Sequence, residues 1–221
     1  YTKKNGYDRV DRAELEVMDA YCTGYKQFLD AGKTERECVD QTIALAEAAD
    51  FRAYQRGMEL KPGDKVYRAN RGKAVMLAVM GRRSLADGVN IGASHIDSPR
   101  LDLKQNPLYE ADELAFLKTH YYGGLRKYQW VTIPLELHGV VVLKSGQAVR
   151  VSVGNGEGDP LFTVDDLLPH LGAEQSRKPL GEAIPAESLN ILVGSRPLAD
   201  DEGSDRVKLS ILELLNRKYG I

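Results

Sequence analysis

Cysteine is scarce in this chain: Cys22 and Cys38 are the only two among 221 residues. Neither belongs to a Cys-x-x-Cys pair, so zinc-finger and thioredoxin-like readings fail. Each falls in an apolar helical pattern and is expected to be a buried thiol; a disulfide between them stays open. Long apolar runs are missing as well. The longest, residues 74–80, is far short of the roughly 20 needed to cross a bilayer. No secretory leader pattern is present, and a cytoplasmic protein is the expectation. No charge of one sign dominates: 30 Lys and Arg stand against 32 Asp and Glu, a net charge of −2. That excludes the electrostatic footprint of a nucleic-acid or anionic-membrane binder. There is no internal repeat and no low-complexity tract.

What is present is ordinary for a folded chain, with 43% hydrophobic and 28% charged residues. The length suits one large domain or two small ones, with a core that needs no covalent staples. Apolar residues at Leu15, Met18, Cys22, Tyr25 and Leu29 have helical spacing and predict a helix over 8–30, with Gly32 as its C-cap. Thr34 and Glu37 form a capping box that opens a second helix, running to about Phe51. A turn at Pro62-Gly63 leads into Lys65–Arg68, and Asn70-Arg71-Gly72 turns into Ala74–Met80. That second run is apolar on both faces and predicts a central strand. Val89–Ser94 predicts another buried strand, with Gly92 and Ala93 leaving room for close approach.

Beyond Pro99 strands dominate. Leu101–Lys104 alternates and Asn106-Pro107 breaks it. Val131–Leu143 and Ala148–Val153 predict strands, and the glycine-rich stretch 154–160 predicts a plain loop. Thr163–Asp166 predicts the cap of a short helix carrying Leu167, Leu168, His170 and Leu171. Leu189–Val193 predicts a strand and Ser204–Tyr219 a helix.

The chemistry is concentrated in Gly92-Ala93-Ser94-His95-Ile96-Asp97-Ser98-Pro99-Arg100. A histidine and a carboxylate two residues apart point the same way on an extended backbone. Here they are expected at the C-terminal end of a strand, where open α/β sheets place their sites. Two readings stand: a structural pair, or a metal-ligating His95 with Asp97 beside it to fix the ring's tautomer and orientation. Of the other histidines, His138 alternates with apolar residues and reads as a satisfied strand histidine. His120 reads as a loop residue beside Tyr121-Tyr122, solvated or lining a cleft. His170 reads, on its local sequence, as a helix-end residue facing solvent. Tyr128 and Trp130 read as interface or core aromatics.

The stretch from Gly92 through Asp97, Pro99 and Lys104 to Pro107 resembles the metal-binding segment of the aspartyl aminopeptidase and aminopeptidase I family of zinc metallopeptidases. The resemblance continues through Tyr122-Gly123-Gly124, Trp130, Leu137–Lys144 and Asp166–Leu171, in the family's order, from about residue 10 onward. It implies a three-layer α/β metallopeptidase core, present in part over 1–102, and a β-rich inserted dimerisation domain over 103–221. It implies two zinc ions per complete active site, with His95 as a metal ligand and Asp97 as the carboxylate that orients the metal His95 holds. It implies that His170 reaches the neighbouring subunit's site to contact substrate, and that dimers assemble into a dodecamer that removes N-terminal residues from peptides. In the aspartyl-specific branch a His-Thr-Trp-Phe-Asp-Arg-Asp-type stretch follows the double glycine. Tyr128–Pro134 departs from it, so that branch's acidic preference does not carry over. The family's remaining carboxylates and final histidine normally lie downstream, so this chain by itself is expected to be inactive. The rival expectation is a non-catalytic oligomerisation or peptide-binding module.

Overall fold

The structure, a computed structural model, describes residues 2–199 and 202–221. It divides into two compact units, 1–98 and 99–221. Both mix helices and strands, the expected α/β class.

In the first unit, α1 (Arg12–Ala31) opens on a capping box. The Asp11 side chain accepts from the Glu14 N–H, and Glu14 accepts from the Asp11 N–H, both at 2.9 Å. Gly32 caps its C-terminus, as expected. The Thr34–Glu37 box opens α2 (Glu35–Ala48) in the same manner. These reciprocal bonds satisfy N–H groups that no helical carbonyl can reach. Three strands follow: β1 (Arg52–Ala53), β2 (Lys65–Asn70) and β3 (Ala74–Val79). β1 lies parallel to β2, and β2 and β3 form an antiparallel hairpin. In its three-residue loop, between the paired Asn70 and Ala74, Arg71 and Gly72 both have positive φ, 54° and 66°, and the Lys73 N–H donates to the Asn70 carbonyl at 3.1 Å. The core is small: Cys38, Val39 and Ala46 of α2 are buried, as is Val66 of β2.

Three expectations fail in this unit. β3 is an edge strand, because the sheet order is β1-β2-β3; its apolar side chains face solvent, Met76 at 74% exposure. Val89–Ser94 forms no strand. It is exposed, with Ile91 at 81%. An apolar sequence cannot make a strand without a ladder partner, and none is paired to it among the described residues. His95 therefore follows a segment outside the sheets rather than a sheet strand. Cys22 is exposed and free, while Cys38 is buried and free. Helix α1 has no buried residue, so its apolar stripe, Cys22 included, is open.

The second unit is built on β4 (Arg100–Ala111), β5 (Leu114–Tyr122), β6 (Leu137–Val142), β7 (Ala148–Val153), the single turn α3 (Leu180–Ala183), β8 (Ile191–Gly194) and α4 (Arg206–Tyr219). One sheet has the order β4-β5-β8 and β6 pairs with β7, all antiparallel. Phe162 exchanges backbone bonds with Leu135, and Thr163 with Leu192, joining the hairpin side to β8. The core gathers Ala115, Val153, Val164, Leu189 and Val207, each at most 2% exposed. Gly194 lets α4 close on β8; a Cβ there would lie 2.8 Å from Ile211 Cδ1.

Here too the structure corrects the sequence reading. Asn106-Pro107 does not end a strand; the register shifts between Leu103 and Leu108 and β4 continues, a bulge with Asn106 at φ 49°. Bulges are where strands accommodate such residues. His120 lies on β5, not in a loop, because the alternating burial of Ala115, Leu117 and Thr119 carries the strand to Tyr122. The helix expected around Leu167–Leu171 is absent. Thr163 is taken up by pairing with Leu192, and Asp166 accepts from Leu167 N–H and the Gln175 amide instead of capping a helix. Pro169 then supplies no N–H for a helical turn.

Candidate functional site

The two residues that the sequence singled out do meet. His95 Nδ1 lies 2.8 Å from Asp97 Oδ1 and 3.1 Å from the Asp97 carbonyl oxygen. Both oxygens only accept, so Nδ1 carries the proton and donates. That tautomer leaves Nε2 with its lone pair, the form in which imidazole binds a metal or takes a proton. The ring stands out from the backbone, with its side chain 85% exposed against 31% for Asp97. Chain geometry explains the meeting. Side chains two apart on extended backbone share a face, and Pro99 biases Ser98 toward extended geometry.

Pro99 is itself held at the start of the second unit. Arg100 pairs with Tyr122 across β4 and β5. Its guanidinium lies 4.2 Å from the Tyr122 ring centroid, and its Nε donates to Asp102 Oδ1 at 2.7 Å. One position further out, Pro99 packs on Gly123. His170 belongs to this unit, exposed in a turn after Pro169 and flanked by Leu168 and Leu171, also exposed. His138 Nε2 lies 2.8 Å from Glu136 and its side chain is 9% exposed, a satisfied strand histidine as expected. Trp130 is buried in the core and Tyr128 is exposed. His120 sits opposite Asp102 on the paired strand.

Two ion pairs had no sequence signal, because their partners are far apart in the chain. Lys104 donates to Glu187 and holds that carboxyl below its usual range. Lys218 donates to both Asp159 oxygens, at 2.5 and 2.7 Å, and with the Gly156 and Gly154 N–H groups holds Asp159 below its usual range.

His95 and Asp97 fit one metal ligand and the carboxylate that orients it. Among the described residues no group of three or more His, Cys, Asp or Glu is placed to hold a metal ion. A catalytic zinc needs about three protein ligands, so the pair by itself does not make such a site.

A family model described as aminopeptidase I zinc metalloprotease (M18) matches residues 28–221. A Clostridium acetobutylicum protein described as a probable M18 family aminopeptidase 1 is 49% identical over 222 residues, covering 99% of this chain and 48% of its own length. The solved structure of an M18 aminopeptidase from Thermotoga maritima superimposes with a TM-score of 0.88 at 37% identity, over 100% of this chain and 48% of the other. That of aminopeptidase I from Clostridium acetobutylicum does so with a TM-score of 0.84 at 44% identity, over 100% of this chain and 50% of the other. The chain thus spans about half the length of the relatives it matches.

Proposed function

The chain belongs to the aminopeptidase I zinc metalloprotease (M18) family, and from that premise we propose that it is part of a zinc-dependent aminopeptidase. The enzyme removes N-terminal residues from peptides. In this reading residues 1–102 belong to the catalytic domain and 103–221 form a dimerisation domain. His95 contributes one zinc ligand through Nε2, and Asp97 holds its ring. The observation that carries the reading is the 2.8 Å His95–Asp97 contact with the ring turned out to solvent. It lies inside the segment that the family model matches.

Zinc, when bound, polarises the scissile carbonyl and lowers the pKa of an attacking water; a pair of ions is the usual arrangement for such hydrolases. The protein's share within this chain is narrower. Asp97 keeps the proton on Nδ1 and so presents Nε2 in its basic form. The second unit supplies exposed Leu161, Leu167, Leu168, Leu171 and Leu180, a surface suited to a second copy. We assign His170, exposed among them, to the neighbouring subunit's substrate. Dimers assembling into a dodecamer complete the reading. The unpaired thiols of Cys22 and Cys38 suit a reducing, cytoplasmic setting. The rival, a non-catalytic oligomerisation or peptide-binding module, draws on the same leucine surface.

The test is zinc content by elemental analysis, with hydrolysis of N-terminal amino-acid amides, on the full-length protein. Wild type is expected to carry zinc and to lose activity to a chelator. His95→Ala is expected to lose zinc and to retain less than about 1% of activity. A full-length protein that is folded, oligomeric and free of zinc and activity would establish the rival.

A further inference from the structure

We propose that the last turn of α4 is a clasp on the outer edge of β7, closing that edge against pairing with the β7 of a second copy of this chain. The ladder defines which backbone groups face outward. β6 and β7 pair Leu137 with Val153, His138 with Ser152, and so on to Val142 with Ala148. One step further, the Leu143 N–H donates to the Gln147 carbonyl at 2.8 Å, so Leu143 and Gln147 form a hydrogen-bonded pair. Such pairs alternate with open ones along an antiparallel ladder. Val149, Val151 and Val153 therefore direct their backbone groups at β6, and Ala148, Arg150 and Ser152 direct theirs away from it. β7 has no second strand neighbour among the described residues.

Two side chains of α4 meet that edge. Tyr219 OH accepts from the Ser152 N–H at 2.9 Å and donates to the Ser152 carbonyl. One hydroxyl thus takes both outward groups, the exchange that a residue of a neighbouring strand would make. Two positions on, the Gly154 N–H donates to Asp159 Oδ2 at 3.1 Å, and Lys218 holds that carboxylate by both oxygens. Gly220, at φ 68°, ends the helix, which leaves Lys218 and Tyr219 as its last residues, and the Tyr219 side chain packs against the core. The edge beneath is one that would pair. Residues 148–153, Ala-Val-Arg-Val-Ser-Val, alternate, hold no proline and carry one charge, the composition of an adhesive edge. An antiparallel copy set with Arg150 of each chain opposite Ser152 of the other would join their outward groups without placing arginine on arginine. That register needs the two Ser152 groups that Tyr219 holds.

The experiment uses full-length protein and two readouts: hydrogen exchange at single amides, and mass by sedimentation velocity. Tyr219→Phe keeps the ring and removes the hydroxyl; Lys218→Met is added to it in a double variant. Exchange at the Ser152 amide is expected to rise about 10-fold in Tyr219→Phe. The Val151 and Val153 amides, bonded to β6, are expected to keep their wild-type rates. A helix that only stabilises the fold would speed all three alike, and that result overturns the proposal. The double variant is expected to form species of about twice the wild-type mass as its concentration rises. Ser152→Pro placed in it removes the outward N–H and is expected to restore the wild-type mass. If Ser152→Pro does not fold, Ser152→Lys takes its place, since it sets lysine against arginine in the paired register. If the double variant does not fold, Tyr219→Phe alone carries the mass measurement. Wild-type mass at every concentration overturns the proposal, and so does an association that neither Ser152 substitution reduces.

Discussion

At the scale of single residues, the backbone carries strain that has no evident task. Thr132 is β-branched yet sits at φ 62°, where such residues are true outliers. Its side chain is exposed, and its N–H donates to Val164 O at 2.8 Å, a bond that any non-proline residue would keep. Thr132→Gly removes the steric conflict without giving up a buried contact. It is expected to raise stability by about 1 kcal/mol, read as a higher urea midpoint with an unchanged slope. A lower midpoint would show that the Thr132 side chain contributes packing that outweighs the strain.

Among the elements, α4 is tied down from outside by side-chain bonds at its C-terminal end. Tyr219 OH accepts from the Ser152 N–H at 2.9 Å and donates to the Ser152 carbonyl. Lys218 grips Asp159 in the loop after β7, and that carboxylate also accepts from Gly154 and Gly156 N–H. The Lys218 hydrogen bond is the main reason the Asp159 carboxyl lies low, and the same bond raises the Lys218 ammonium. A carboxyl lowered on folding stabilises fully above its unfolded pKa and stops doing so as pH falls through its folded pKa. A raised ammonium stabilises below its unfolded pKa and stops doing so as pH rises through its folded pKa. The pair is therefore intact across neutral pH and is lost at both extremes. Asp159→Asn is expected to lower the urea midpoint at pH 7 and to flatten its decline on acidification. The Glu187–Lys104 pair, also lowered on its acidic side, leaves some acid slope in place. An acid slope equal to that of wild type would sink the assignment.

Over the whole molecule, apolar surface is left open in several places. Val17, Tyr21 and Tyr25 on α1, Met76 and Val79 on β3, and Val89 and Ile91 beyond it are each more than half exposed. Exposed apolar surface of this kind marks interaction surfaces or aggregation hazards, and β3 lies at the edge of its sheet among the described residues. If, as proposed, the chain is part of a longer enzyme, the 221 residues alone are expected to bind the dye ANS and to scatter light increasingly with concentration, and the longer protein is not. Equal dye binding by the two would mean that these faces stay open in the longer protein.

Local order was legible wherever it depends on neighbours in the chain. The Thr34–Glu37 capping box, the Gly32 cap, the Asn70–Gly72 turn, the alternating β7 and the amphipathic α4 need only residues a few positions apart. So does the His95–Asp97 pair, whose two side chains are only two positions apart. Pairing was not legible, because a hydrogen-bond ladder needs a second strand and no single segment states which one it will meet. That is why Ala74–Val79 became an edge, Val89–Ser94 found no partner among the described residues, and Thr163 paired with Leu192 of β8 instead of capping a helix. The same reasoning covers Lys218–Asp159, Lys104–Glu187 and the seat of Pro99 on Gly123. These contacts exist only after distant segments are folded against one another, so tertiary structure alone decided them.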